Sequence, residues 1–426
     1  MVIQRKKYLD QLISLMGSDM IKVVTGMRRS GKSYLLFKLF YNYLVKQGVK
    51  EEQIIKINLD EQENIPLRSI DNLYKEICNR IKYKNRRYYL LMDEVQYTIK
   101  KQDLKNKEKP LPIYDVLNSM LNRGNVDVYI TGSNSRFLSS DVMTEFRGRG
   151  WPIHIQPLVF SEYYEACRKP FDQALDEYIM YGGLPYILKL RSHEEKYQYL
   201  INLFGEVYLK DIKERYNIQN DYGMDELIEV LASSVGSLTN PKRISDTFNS
   251  KGSKISEPTI ADYLQYLQDS FLVQKVKRYD IKGRKYIGTP SKYYFTDIGL
   301  RNAKLNFGQQ EKNHIMENII YNELIYRDYN VDVGIVPVNA VEKGKHLKKQ
   351  YEVDFVANHI NQRYYIQSAL NVDSKDKLAQ EQKSFVNIPD AFKRVIVTEK
   401  TLLPWHTEEG TLVIGLKEFL LDKNIL

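Results

Sequence analysis

Apolar and polar positions fall into three blocks along the chain. In the first, a short apolar run, Ile21 to Val24, stops at a glycine-containing turn and gives way to the helical pattern SYLLFKL. Two further runs follow, YYLLMD at 88–93 and VDVYITG at 126–132, each ending in polar or small residues. Such runs read as buried strands. The second block, 226–300, predicts three helices: ELIEVLASSVGSL, PKRISDTFNS and SEPTIADYLQYLQDSFLV. Pro241 and Pro258 suit first turns, and Ser256 can cap the third helix. A strand pair turning at Lys282-Gly283 follows. From residue 311 the order is helix (EKNHIMENIIYNELIYRDY), strand (VDVGIVPV), basic loop, two strands (YEVDFVANHI and RYYIQSAL), helix around Leu378 to Phe385, and strand (RVIVTEK).

The first block carries chemistry. After the opening strand comes Gly26-x-x-x-x-Gly31-Lys32-Ser33, the spacing of a P-loop. Gly26 and Gly31 permit the turn that aims backbone N–H groups, Arg29, Ser30 and Tyr34 among the loop residues, at phosphate oxygens beside a helix start. Lys32 is expected on the β- and γ-phosphates and the Ser33 hydroxyl on Mg²⁺. A P-loop calls for a second strand ending in an acid, and YYLLMDE supplies Asp93 for the metal and Glu94 as the base that polarises water. The tip of the strand at 126–132 is expected to face the γ-phosphate, where Ser133 or Asn134 could sense it; a polar strand-end turn with no role fits the residues nearly as well. No Asn-Lys-x-Asp guanine-reading motif follows, so ATP is the expected nucleotide.

The set TGMRRSGKS, LLMDEVQ, TGSNSRFLSSDV, FRGRGWPIHIQPLVFSEYY and YGGLP resembles AAA-type P-loop ATPases of the archaeal and bacterial group related to signal-transduction ATPases. The resemblance runs through about residue 200. It implies a helical lid at roughly 161–200, lid and linker together running over 161–222, with GGLP at a turn, and an arginine finger reaching a neighbouring subunit of a homo-oligomer. Arg147 and Arg149 match that finger; two arginines pairing with acids on a strand edge fit the residues equally. The whole fold expected is α/β: a P-loop NTPase parallel sheet with its lid (core 1–160), a winged helix (223–305) and a restriction-endonuclease-like α/β domain (306–426).

The winged helix invites a DNA-binding reading, but its third helix has no Lys or Arg from Ser256 to Ser270 and carries Glu257, Asp262 and Asp269. A helix seated in a major groove normally brings cations to the flanking phosphates. The hairpin does the reverse, with Lys275, Lys277, Arg278, Lys282, Arg284, Lys285 and Lys292 against one Asp280. The hairpin is therefore the expected phosphate contact. In the tail, the element order resembles the restriction-endonuclease core, with Glu317 at its helical position and Asp354 at its strand position. Gln367 stands where a second carboxylate belongs and Ala369 where a lysine belongs. Mg²⁺ prefers anionic oxygen, and without that lysine no cation is expected to position the attacking water; Lys375 or Lys377 could substitute only if the chain doubles back, and Glu317 and Asp354 are expected to do no more than pair with lysines. Nuclease activity is not expected, and the tail reads as a binding or assembly surface.

The totals add little. A net charge of +9 permits a polyanionic partner such as duplex or branched DNA; a protein partner of a nucleotide-dependent switch is the other reading. No run spans a bilayer, the basic start lacks a following apolar stretch, and two scattered cysteines make no framework, which together predict a reducing, cytoplasmic setting without a membrane.

Overall fold

The computed structural model describes the chain except residues 1, 101–102, 104–109, 133–145, 147, 219, 251, 310, 343–344 and 401–402, and except the side chains at 207, 221 and 340–348. Two compact units emerge: Met1–Pro157 together with Asp269–Phe271, and Leu158–Gln268 together with Leu272–Leu426.

The first unit is built on five strands, β1 (Ile21–Thr25), β2 (Ile54–Asn58), β3 (Tyr88–Asp93), β4 (Val126–Gly132) and β5 (Gly150–His154). Their order is β2-β3-β4-β1-β5 and every pairing is parallel. Buried on both faces, β1, β3 and β4 carry no exposed residue, which is why they read as apolar runs without alternation. Leu73 and Ile77, from the helix Ile70–Arg80, and Ile113 and Leu117, from the helix Pro112–Leu121, join one core with Leu90, Val128 and Ile130. Registers Thr25↔Gly132, Asn58↔Asp93 and Thr25↔His154 bring the carboxyl ends of the strands level, opening a crevice there. One charge pair interrupts the apolar strands: Lys22 on β1 is fully buried and bonded to Asp127 on β4. Asp127 also accepts from Tyr129 Oη (2.9 Å) and from the Gly17 N–H (2.9 Å). Burial pulls the Lys22 ammonium below its usual range, and the Asp127 carboxylate opposes that pull.

The second unit starts as helices: Phe160–Cys167, Phe171–Tyr181, His193–Asn202 and Lys210–Tyr216 are its longest α segments before residue 220. The GGLP turn has a specific anchor. Gly182 ends a helix at φ 71, and the Gly183 N–H donates to Asp297 Oδ2 at 2.8 Å. A Cβ on Gly183 would stand 1.9 Å from the Leu158 carbonyl oxygen, so only glycine fits. Then come the three expected helices, Asp221–Ser233, Pro241–Ser250 and Glu257–Asp269, and the hairpin β6 (Val273–Asp280) and β7 (Lys285–Phe295). Asn240 caps the second helix and Ser256 the third, each through its side-chain oxygen.

The tail supplies the helix Lys312–Tyr326 and strands β8 (Asn330–Glu342), β9 (Lys345–His359), β10 (Gln362–Ala369), β11 (Lys393–Thr398), β12 (Trp405–His406) and β13 (Leu412–Gly415), with the helix Lys375–Gln382 between β10 and β11. All join one mixed sheet of order β12-β13-β11-β10-β9-β8-β6-β7. The hairpin is thus an integral part of the tail's sheet: β6 runs parallel to β8, with Arg278 opposite Val333 and Asp280 opposite Ile335. The divisions expected at 222 and 305 fall inside this single unit. Among the described residues, no helix is long and apolar enough to cross a membrane.

Candidate functional site

Between β1 and the helix that begins at Lys32, the chain turns through positive φ at Gly26 (145), Arg29 (64) and Gly31 (99). A Cβ at Gly26 would meet the Ile155 carbonyl oxygen at 2.2 Å, so the loop closes onto the chain after β5 only with glycine there. Residues 32–46 then form one helix whose middle, Leu35–Phe40, winds as a π-helix, with Leu35, Leu36, Leu39 and Phe40 buried. Phe40 packs on Tyr129 of β4 (centroids 4.5 Å apart), fixing the helix over the sheet.

This packing brings the expected residues together. Asp93, at the end of β3 and 2% exposed, accepts hydrogen bonds from the hydroxyls of Ser33 and Thr131. Burial pushes its carboxyl above the ordinary range, while those two bonds hold it down. Lys32 is buried, and its Nζ donates to the carbonyls of Gly26 (3.1 Å) and Met27 (3.0 Å). Burial lowers its pKa, against the charges of Glu94 and Asp93. Glu94 follows β3 in a left-handed conformation (φ 53), its N–H donating to Thr131 Oγ1 at 3.0 Å. Its carboxylate accepts from the Gln96 amide. The Ser30 hydroxyl is fully buried in the loop and has no hydrogen-bond partner among the described residues. A glycine cradle, an orphan hydroxyl, a lysine and a serine–aspartate pair fit a nucleoside triphosphate with Mg²⁺. Arg29 and Tyr34 flank the loop, the first exposed and the second half-buried.

Ser133, Asn134 and Arg147 lie outside the described residues. Arg149 is exposed and donates to Asn122 Oδ1 at 2.8 Å. It precedes β5, whose start pairs with Ile21 at the start of β1, so Arg149 stands at the opposite end of the sheet from the P-loop of its own chain. Three residues at or near the crevice escaped the sequence reading. Thr131 bridges Asp93 and Glu94; its only signal was a hydroxyl at the end of an apolar run. Gln96 required a local turn to return it to Glu94. His154 on β5 lies with Nδ1 3.3 Å from Thr25 Oγ1, its imidazole pushed down to about 4 by burial and then by the Lys32 charge.

In the second unit, two hairpin cations depart from the expectation. Arg278 is 8% exposed and bonds Gln350 Oε1 at 3.0 Å, while Lys275, Lys277, Lys282, Arg284 and Lys285 are exposed. Lys292, counted above as a phosphate contact, is buried. Its Nζ lies 2.7 Å from Glu317, 2.8 Å from Glu352 and 3.6 Å from Asp354. The lysine that pairs with Glu317 and Asp354 therefore comes from β7, a strand the sequence did not connect with them. Burial works against the Lys292 charge, but the three carboxylates outweigh it and raise its pKa. Lys377 instead bonds Asn371 Oδ1 at 2.7 Å. The Asp354 N–H donates to Gln367 Oε1 at 2.8 Å, and Asp354 Oδ2 accepts from the Ser368 N–H at 2.9 Å. Burial and then the Glu317 charge push the Asp354 carboxyl up to about 7. A cavity of about 620 Å³ adjoins the cluster, with Ser234, Thr239, Arg243 and His314 also on its wall. Among the described residues, no three His, Cys, Asp or Glu side chains are placed to hold one metal ion.

A parallel sheet with a P-loop after its first strand and a Ser33–Asp93 pair in the crevice defines a P-loop ATPase fold, and the AAA domain family matches residues 18–164. A second family, a domain of unknown function, matches 172–311. Across 406 residues the chain is 32% identical to an uncharacterized protein of Haemophilus influenzae, covering 94% of each, and it belongs to that protein's family. An uncharacterized protein of Methanocaldococcus jannaschii is 27% identical over 350 residues, 79% of this chain and 71% of that protein. Among solved structures, the Walker-type ATPase of Pyrococcus abyssi is similar with a TM-score of 0.48 at 14% identity, over 71% of this chain and 96% of that one.

Proposed function

We propose that the protein binds and hydrolyses ATP and couples its nucleotide state to duplex or branched DNA. The observation that carries the hydrolysis reading is the convergence of Lys32, Ser33, Asp93, Thr131 and Glu94 at the carboxyl ends of β1, β3 and β4. Ser33 and Asp93 would hold Mg²⁺, which when bound supplies positive charge to the phosphate oxygens. Lys32, now donating to its own loop carbonyls, would exchange these for phosphate oxygens at little desolvation cost, because it is already out of water. Glu94 is the base that takes the proton of the attacking water. Ser133 and Asn134 are proposed to face the γ-phosphate, and Arg147 to act in a neighbouring copy of the chain. For Arg149 the supporting observation is its distance from its own P-loop, which leaves a neighbour's nucleotide as the site it would serve.

DNA is proposed to contact Lys275, Lys277, Lys282, Arg284 and Lys285, exposed on a hairpin that belongs to the tail's sheet. Arg278 is left out because it is buried. The helices and hairpin at 223–305 are read as a winged helix and 306–426 as a restriction-endonuclease-like domain that binds rather than cuts, since Gln367 and Ala369 replace the expected carboxylate and lysine. The exposed acids Glu257 and Asp262 on the third helix favour the second reading, a nucleotide-dependent switch with a protein partner. ATP hydrolysis measured with single-stranded, duplex and four-way-junction DNA separates them. Stimulation by one form, with log affinity falling against log salt by a slope of about 4, supports the DNA reading. A rate indifferent to all three contradicts it.

A further inference from the structure

Gln96 lies two residues beyond Glu94 on the short 3-10 turn Val95–Thr98. Val95 and Thr98 are buried, and the Thr98 hydroxyl donates back to the Val95 carbonyl at 2.8 Å, so the turn that carries Gln96 is anchored at both ends. Its amide Nε2 donates to Glu94 Oε2. Glu94 itself is fixed through its backbone, in the left-handed region and tied by its N–H to Thr131, but three side-chain torsions separate that anchor from its carboxylate.

We propose that Gln96 is a positioning residue for hydrolysis: its amide holds one oxygen of the Glu94 carboxylate and thereby aims the other at the attacking water. The inference rests on the reading of Glu94 as the base. A carboxylate has two acceptor oxygens, so one can be held by a donor while the other takes a proton. Glutamine suits the task because it donates without adding charge. A lysine here would neutralise the base, and a glutamate would repel it. Holding the carboxylate in one orientation removes rotamer freedom that would otherwise be lost in the transition state. Because it acts through the Glu94 carboxylate, its effect is expected on turnover and not on nucleotide binding.

The test is a double-mutant cycle of Gln96→Met, which keeps the side chain's length without its donor, with Glu94→Gln. Steady-state kcat and KM for MgATP and the affinity for a fluorescent non-hydrolysable ATP analogue are measured on the full chain. Gln96→Met is expected to lower kcat by about tenfold or more, the usual loss on removing a group that orients a reacting side chain, with KM and affinity within about twofold. In the Glu94→Gln background the same change is expected to have no further effect. Gln96→Asn, too short to reach the carboxylate, is expected to match Gln96→Met and serves if the latter folds poorly. A parent-like kcat in either variant, while Glu94→Gln is slowed by about a hundredfold or more, overturns the role of Gln96 and leaves the base standing. Glu94→Gln turning over like the parent overturns the base itself. Additive losses in the double variant would mean that Gln96 acts on something other than Glu94, and would also overturn the proposal.

Discussion

Replacing Lys292 with methionine removes the ammonium shared by Glu317, Glu352 and Asp354 while keeping most of its volume. The lysine side chain is 3% exposed and Glu317 and Asp354 are 12% and 15% exposed, so solvent screens these partners weakly; Glu352, at 34%, is better screened. Removing one partner of a buried ion pair typically costs about 3–5 kcal/mol. The lower end applies, because Glu317 keeps the Tyr294 hydroxyl (2.5 Å) and Asp354 keeps the Ser368 N–H. About 3 kcal/mol at pH 8 lowers a melting temperature by roughly 6–12 °C in a unit of this size. The loss also depends on pH. The Asp354 carboxyl sits at about 7 when folded against an ordinary 3.8, so between those values the folded chain holds a proton that the unfolded chain has released. Stability from this group therefore falls as pH rises from about 4 to about 7. Without Lys292, which pulls the carboxyl down, the window extends to higher pH, and the deficit of the variant against the parent grows from pH 6 to pH 8. Thermal unfolding of both proteins at pH 6, 7 and 8, followed by circular dichroism, reads this out. A loss below about 1 kcal/mol at pH 8, or one that grows on acidification, would refute the view that this cluster is held by its lysine.

Asp127→Asn strands the fully buried Lys22 and is expected to cost the first unit about 3–5 kcal/mol, read as a lower urea midpoint. Thr131→Val removes the donor to Asp93 and the acceptor for the Glu94 N–H; a stability loss of about 1–3 kcal/mol and a fall in ATP turnover are expected, and a variant with parent-like turnover would dismiss the bridge. His154, held neutral at about 4 when folded against an ordinary 6.5, contributes stability above pH 6.5 that is lost as pH falls toward 4. His154→Gln is therefore expected to shift the acid-unfolding midpoint of the first unit downward in a pH titration of its circular dichroism.

The first site was legible because it is local. Gly26, Gly31, Lys32 and Ser33 lie within eight residues, and Asp93–Glu94 close an apolar run, so spacing alone predicts a shared crevice that the parallel register then produces. Thr131 and Gln96 were not legible, since a hydroxyl at a strand end and an amide in a turn are common features without a partner in view. The second unit was legible in its element order but not in its joins. Pairing of β6 with β8 links residues some fifty positions apart and leaves no mark on the periodicity of either. Lys292 shows the consequence. Counted along the hairpin it is one cation of seven, yet it lies in the stretch 291–295 of β7, where every residue is buried, and its partners come from a helix and a strand outside the hairpin.

The most direct measurement of the central claim is steady-state MgATP hydrolysis by the full chain, with Lys32→Ala as the blank and Glu94→Gln beside it. Turnover is expected in the parent and none above background in Lys32→Ala, while Glu94→Gln is expected to bind ATP and turn it over about a hundredfold or more slowly, still above that blank. Hydrolysis by Lys32→Ala at the parent rate would contradict the claim, because the P-loop would then not be the site.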